Sequence, residues 1–334
     1  MSGEDTAAGA MIVLDRDTVR ARLTYAVCIP LVREAMIALS HGEAVQVLRQ
    51  IVPLAAGRAF GSMPGALASD KAFGVKVVSV FPERFAQGRS SHQGLVMLFD
   101  PDSGAPVCLI EAGEVTAIRT AAASAVATDA LARPEASRLA ILGYGEQARG
   151  HIAALLQVRA FDRCAVWGRS AERAQAFARA AEAEFGLPVR AAATVDEAVA
   201  DADVICTVTA AAEPILHAAQ VPDGCHLNVV GSSRAGPAEI DGALTARARF
   251  FADHRPSVLA QGAEFLRAKA AGLVGDDHVL GEIGQVLAGG LPGRRSPDEV
   301  TLYKSLGSVV QDLAAGWWLF RQASEQGFGQ AVSL

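Results

Sequence analysis

The stretch Leu139-Ala-Ile-Leu-Gly143-Tyr144-Gly145-Glu-Gln147-Ala148 constrains this chain most. A short apolar run stops at a glycine turn and feeds a helix-like segment, the strand–turn–helix layout of a dinucleotide site. Gly143 allows the tight turn, Gly145 lets the backbone approach a pyrophosphate, and Ala148 takes the small position where helix and strand pack closely. The helix that follows points its free N–H groups and positive dipole end at the phosphates. A lone G-x-G-x-x-A triplet also arises by chance as an ordinary turn. The apolar strand before it and the helical pattern after it favour the cofactor reading.

Cys164-Ala-Val-Trp167 reads as the next strand and ends at Gly168-Arg169-Ser170. An NAD site carries an acid at this point to accept from the ribose hydroxyls. Here Arg169 and Ser170 stand instead, with Arg173 one helical turn on. A guanidinium beside a hydroxyl suits a phosphate dianion. The expectation is NADP(H) in preference to NAD(H), against the alternative that Arg169 is a solvated loop residue.

The surroundings of these motifs read as a two-domain α/β protein. A chain of 334 residues with 51% hydrophobic content can bury a large core. Strands are expected at Met11–Leu14, Leu48–Val52, Gly57–Met63, Phe73–Val80, Leu95–Asp100 and Val107–Glu111, separated by Pro, Gly and Ser turns. A helical pattern starts at Asp17 and runs through Leu23, Val27 and Leu31, and Asp100-Pro-Asp-Ser-Gly104 is a hairpin turn by composition. The first ten residues are expected to fray. An alanine-rich helix over 117–132 reads as a hinge between domains.

Beyond it the rhythm changes to strand–helix alternation. Strands are expected at Arg138–Leu142, Cys164–Trp167, Val189–Ala192, Val204–Val208, His226–Val230 and Phe250–Ala252, with helices including Ala171–Phe185 and Val195–Ala200. That alternation implies a parallel, doubly wound Rossmann sheet. The tail from Thr301 to Gln322 reads as a buried helix folding back on the first domain. The expected division is a sheet-rich α/β domain at 1–125, joined by 301–334, and a dinucleotide-binding domain at 126–300.

The net charge of −6 carries no electrostatic footprint for nucleic acid. No apolar stretch is long enough to span a membrane, and no basic-then-apolar leader is visible at the N-terminus. Cys28, Cys108, Cys164, Cys206 and Cys225 show neither C-x-x-C pairs nor metal-ligand spacing, so no metal is expected. Buried thiols in a reducing cytoplasm are the expectation.

Several cations could serve chemistry on a small substrate. Lys76 stands among β-branched residues in Phe73-Gly-Val-Lys-Val-Val-Ser-Val80. Facing a pocket, it would have a lowered pKa and suit proton transfer. Facing solvent, it would be an ordinary strand lysine. Arg119 at the head of the alanine-rich helix and Arg49 at the start of a strand could each clamp a carboxylate; isolated arginines are also often solvent-exposed. His92, in Ser90-Ser-His-Gln-Gly94, is placed in a polar turn, with no reason to prefer catalysis.

Taken together, these stretches resemble the ornithine cyclodeaminase/μ-crystallin family. The matching segments are Gly74-Val-Lys76-Val-Val-Ser-Val-Phe-Pro82, His92-Gln-Gly94, Leu98-Phe-Asp100, Thr116-Ala-Ile-Arg119-Thr120-Ala-Ala-Ala-Ser124, the glycine turn, Asn228-Val-Val-Gly231 and Thr301-Leu-Tyr-Lys304-Ser-Leu-Gly307. They run in order over most of the chain. The resemblance implies a homodimer formed by the N-terminal domain, and an amino- or imino-acid substrate held by Arg49, Lys76 and Arg119. Lys76 is the catalytic group in that set. The dinucleotide site is expected to draw on Thr120, Gly143, Tyr144, Gly145, Gln147, Ala148, Arg169, Ser170, Arg173, Thr209, Gly231 and Ser232.

One departure separates the family's activities. Cyclodeaminases carry an Asp after the strand at His226–Val230, where this chain has Gly231-Ser232-Ser233. Ser233 takes the Asp position, and a serine cannot replace a carboxylate in handling the ω-amine. The expected activity is therefore an NAD(P)H-dependent reductase of α-imino acids, cyclic or formed from a keto acid and an amine, and reversible as an amino-acid dehydrogenase. An ornithine or lysine cyclodeaminase and a non-enzymatic NADP(H)-binding protein are the alternatives.

Overall fold

β-Branched residues alternating with small ones build the first of two sheets in the computed structural model, which describes residues 10–68, 71–81, 83–86 and 92–333. The chain divides into one unit made of Met1–Arg119 with Ser308–Leu334, and a second made of Thr120–Gly307. The expected fraying of the first ten residues concerns positions that, except for Ala10, lie outside the described residues, as do Pro82, Ser90 and Ser91.

The first unit holds β1 (Ala10–Leu14), β2 (Val45–Gln46), β3 (Gln50–Pro53), β4 (Ala59–Ala66), β5 (Phe73–Val80), β6 (His92–Phe99), β7 (Pro106–Glu111) and a C-terminal strand at Gln330–Ser333. Their order is C-terminal strand–β1–β7–β6–β5–β4–β2, with β3 also on β4. Strands β4 to β7 form an antiparallel meander in which Lys76 lies between Met63 of β4 and Val96 of β6. The hairpin turn at Asp100 is present, its carboxylate accepting from the Ser103 N–H at 2.8 Å. His92 corrects the polar-turn reading: it opens β6, because pairing with Val80 extends the ladder that far.

The helical pattern from Asp17 is two helices, α1 (Arg16–Arg22) and α2 (Tyr25–Ser40). Asp15 caps the first by accepting from Thr18 N–H, and Thr24 caps the second by accepting from Val27 N–H. A cap side chain that satisfies the orphan N–H groups of a new helix ends continuity with the old one. The alanine-rich helix, α3, spans Ala112–Leu131, and the boundary between units falls within it.

A C-terminal helix, Val309–Gln326, lies on β4, β5, β6 and α2. Glycines let it come close. A Cβ on Gly65 would meet Val309 Cγ1 at 2.5 Å, and one on Gly316 would meet Ile110 Cδ1 at 2.9 Å. That approach puts the first turn of the helix over Lys76.

The second unit is a fully parallel sheet of β8 (Arg138–Leu142), β9 (Arg163–Trp167), β10 (Val189–Ala191), β11 (Val204–Thr207), β12 (His226–Val229), β13 (Arg249–Ala252), β14 (Val279–Glu282) and β15 (Thr301–Lys304). The order is β10–β9–β8–β11–β12–β15–β13–β14. The chain winds outward from β8 in one direction and then in the other, which is the doubly wound Rossmann arrangement and its topological switch point. Leu142, Ile205, Leu227, Phe250 and Leu302 are fully buried in this unit's core.

β15 corrects the reading of 301–322 as one helix. Thr301-Leu-Tyr-Lys304 is buried at every position between β12 and β13, and the helix begins only at Val309. Residues 301–307 therefore belong with the dinucleotide sheet rather than with the first unit. A strand in the middle of a parallel sheet is apolar on both faces, so its sequence does not show the alternation that marks a half-exposed strand.

Candidate active site

Lys76, 3% exposed, points from β5 into a cluster built by α3 and the C-terminal helix. Its Nζ donates to Thr116 Oγ1 at 2.6 Å and to Asp312 Oδ1 at 2.9 Å. Arg119 donates through Nε to the same Asp312 Oδ1 at 3.0 Å and through a terminal nitrogen to Gln311 Oε1 at 3.2 Å. Asp312 Oδ2 and Gln311 Nε2 are buried and without a hydrogen-bond partner. Arg49, half-buried just ahead of β3, is near enough for its charge to act on Lys76.

Two cations, Lys76 and Arg119, thus share one carboxylate. Burial is the largest influence on Lys76, and together with the charges of Arg119 and Arg49 it outweighs the support from Asp312, bringing the amine down to about 8. Burial opposes ionisation of Asp312 as well, but Arg119 and Lys76 outweigh it and hold the carboxyl below its usual range. The cluster carries surplus positive charge in a dry setting, where it attracts a small anion strongly. The lysine also titrates near neutrality, as a group that both gives and takes protons must.

Apart from Thr120, the residues expected to hold the dinucleotide lie around the carboxyl ends of β8, β9, β11 and β12. Gly143 adopts φ +134°, and a Cβ there would sit 2.8 Å from Val208 O, so only glycine fits. An added Cβ on Gly145 meets nothing within 4 Å, which leaves room for a ligand's approach. Gly145 is the N-cap of α4 (Glu146–Leu155) and offers that helix no side-chain cap. A helix start without a side-chain cap suits a phosphate. Gln147 Oε1, in the first turn, is buried without a partner, and Ala148 is fully buried where α4 packs.

At the end of β9 the Tyr144 ring covers Gly168, where a Cβ would come within 2.1 Å of it. Ser170 caps α5 (Ala171–Phe185), accepting from Arg173 N–H at 3.3 Å. Arg169 and Arg173 are exposed, and among the described residues neither guanidinium is paired with an acid. Thr120 is buried on α3. These features fit a dinucleotide: an uncapped helix end for the pyrophosphate, an open glycine beside it, and free cations at the ribose position.

Sequence reasoning missed further groups in each unit. Glu239, fully buried, accepts from Thr207 Oγ1 at 2.7 Å, Thr209 N–H at 2.6 Å, Thr209 Oγ1 at 2.7 Å and Gly231 N–H at 2.6 Å. Burial raises its pKa, against the pull of these donors. One carboxylate thereby ties together the chain ends leaving β11 and β12. Ser232 is held in turn by Lys304 and Glu264. Asp312 also went unmarked, because its partner Lys76 is 236 positions away.

A doubly wound sheet with an uncapped glycine turn, and a buried lysine set among arginines, define a dinucleotide-dependent oxidoreductase of the Rossmann class. The profile of the ornithine cyclodeaminase/mu-crystallin family matches residues 10–327, and the chain belongs to that family. It is 35% identical over 273 residues to a Delta(1)-pyrroline-2-carboxylate reductase of Bacillus cereus, covering 81% of this chain and 84% of that protein. It is 36% identical over 275 residues to the ketimine reductase mu-crystallin of Mus musculus, covering 82% and 84%. Among solved structures it resembles Thermococcus litoralis Delta(1)-pyrroline-2-carboxylate reductase in complex with NADH and L-proline, with a TM-score of 0.93, 30% identity, and coverage of 96% and 100%.

Proposed function

We propose that this chain is an NADPH-dependent reductase of α-imino acids, acting on cyclic ketimines or on imines formed from a keto acid and an amine. The observation that carries the reading is the buried Lys76 set among Arg119, Arg49 and Asp312. An α-imino acid brings a carboxylate for the arginines and a basic nitrogen that must gain a proton when the C=N bond is reduced. Arg119 and Arg49 hold the carboxylate. Lys76 gives its proton to the imine nitrogen and is left as the neutral amine. A reduced nicotinamide supplies the hydride that the imine carbon accepts. In reverse, neutral Lys76 takes the proton back and the chain oxidises an amino acid.

Gly143, Tyr144, Gly145, Gln147 and Ala148 would hold the pyrophosphate end, with Thr120, Thr209, Gly231 and Ser232 completing the site. Arg169 and Arg173 favour NADPH over NADH, since their guanidiniums match a 2′-phosphate, with the Ser170 hydroxyl between them. Ser233 in place of a carboxylate argues against cyclodeamination. The relatives named as reductases support the same side. A homodimer is supported by Val45, Val47, Ile51, Val52, Leu54 and Phe60, all on or beside β2 to β4 and each 41–55% exposed. Such an apolar group is unusual on a free surface. The free, buried cysteines suit a reducing cytoplasm.

NADPH consumption across a panel of cyclic imino acids and keto-acid/amine mixtures tests the reading. Turnover of at least one imine, with no ammonia from ornithine or lysine, is the expected result. Ammonia release from ornithine with catalytic NAD⁺ would replace the reductase by a cyclodeaminase.

A further inference from the structure

A lysine ammonium has three hydrogens, and among the described residues Lys76 meets two acceptors. The Thr116 hydroxyl gives its own proton to the Ala112 carbonyl, so it meets Lys76 only as an acceptor. Asp312, kept ionised by Arg119 and Lys76, is an acceptor as well. We propose that Thr116 and Asp312 are positioning residues that pin two N–H bonds of Lys76 in both of its protonation states, leaving one tetrahedral position as the fixed line of proton transfer.

Valence sets the direction of that line. In the ammonium form the third N–H occupies the open position. After that proton leaves, the two hydrogens bonded to Thr116 and Asp312 stay, and the lone pair takes the vacated direction. The amine therefore gives and receives a proton along one line without rotating about its Cε–Nζ bond. Fixed orientation of a reacting group removes a rotational cost from the step itself.

Asp312 has a second effect that Thr116 lacks. Its charge sustains the proton on Lys76, which burial, Arg119 on α3 and Arg49 before β3 all work to remove. The thiol of Cys28 on α2 also feels Arg119 and Asp312. Burial pushes it up to about 12, so it stays neutral and adds no charge. Gln311 meets Arg119 through its amide oxygen and is uncharged. One positioning residue thus sets direction alone, and the other sets direction and proton affinity.

The proposal rests on the imine-reductase reading, and two variants separate its parts. Thr116→Val keeps the shape but removes the acceptor. It should lower kcat about 10-fold to 10²-fold through misorientation, with little change in KM, and Thr116→Ser should restore the rate. Asp312→Asn should move the Lys76 titration to lower pH by about one to three units, the size of a lost neighbouring charge. The second readout needs no turnover: ¹³C NMR of protein labelled at lysine Cε, which has four lysines to resolve. A Thr116→Val protein with undiminished kcat overturns the alignment. A Lys76 midpoint in Asp312→Asn that stays put or moves alkaline overturns the role of Asp312. If the unmodified chain reduces no imine, the reductase reading falls, and the NMR midpoint still decides whether Asp312 governs Lys76.

Discussion

Two lysines are buried in this protein, one in each unit, and they are built for opposite purposes. Lys304 on β15 is fully buried, donates to the Ser232 carbonyl at 2.6 Å and Ser232 Oγ at 2.7 Å, and is ion-paired with Glu264 Oε2 at 2.8 Å. Its charge is matched by one carboxylate; Glu264 resists ionisation through burial, yet Lys304 holds it below its usual range. Lys76 has two hydrogens placed and sits in a cluster with more cations than anions. Both lie on strands beneath a carboxylate from a helix. A closed set of partners with balanced charge makes a structural pin, whereas an open valence with surplus positive charge makes a proton donor beside an anion site.

Replacing each lysine should break the two systems differently. Lys76→Ala should cut imine reduction by about 10²–10⁴-fold, the usual worth of a general acid. Asp312 keeps Arg119 as a partner, so the thermal midpoint should change little. Steady-state kinetics beside a melting curve checks both, and a folded, fully active variant would refute the assignment. Lys304→Met should instead destabilise the second unit by about 3–5 kcal/mol, because it strands a buried Glu264 charge. Denaturant unfolding measures that loss. A variant of unchanged stability would mean that Lys304 is no pin at all.

The contrast sharpens at the carboxyl end of β9, where Arg169 and Arg173 are exposed and, among the described residues, unpaired with an acid. Arg169→Asp should weaken NADPH binding by about 1.5–3 kcal/mol for each charge-assisted hydrogen bond it removes, an order of magnitude or more in affinity. NADH should be affected far less. Equal Michaelis constants for the two cofactors in the unmodified protein would remove the basis for this expectation.

The smallest effect is on pH dependence. Reduction needs protonated Lys76, so its rate should fall as pH rises through about 8. Amino-acid oxidation needs the neutral amine and should rise through the same range. A shared midpoint with opposite slopes, read from kcat/KM profiles in both directions, is the signature. Profiles that slope the same way would assign the proton to another group.

The two sites differ in how much of them can be read before folding. Gly143, Gly145, Ala148, Arg169 and Ser170 follow one another within two strand–turn–helix units, and their roles depend on backbone shape and helix ends. Such features are local, so the doubly wound sheet and the phosphate turn are legible. Lys76 stands out, but its sequence neighbours leave it equally consistent with a solvent-facing strand residue. Its direction depends on the C-terminal helix, whose approach rests on Gly65 and Gly316. Glu239 and Glu264 look like ordinary acids in sequence, and only burial beside Thr209, Gly231 and Lys304 makes them fasteners of the site. β15 reads as helix because a strand buried on both faces shows no alternation.

By itself, then, the amino-acid sequence determined a dinucleotide sheet, a family and a short set of cations suited to a carboxylate. Tertiary structure decided which lysine sits among surplus cations and which one is matched by a single carboxylate. The reason is one of range. Turns, caps and close glycine approaches act over a few residues. The proton affinity of a buried amine is set by desolvation and by charges within a few ångströms, and the chain brings those charges from positions as far apart as Lys76 and Asp312.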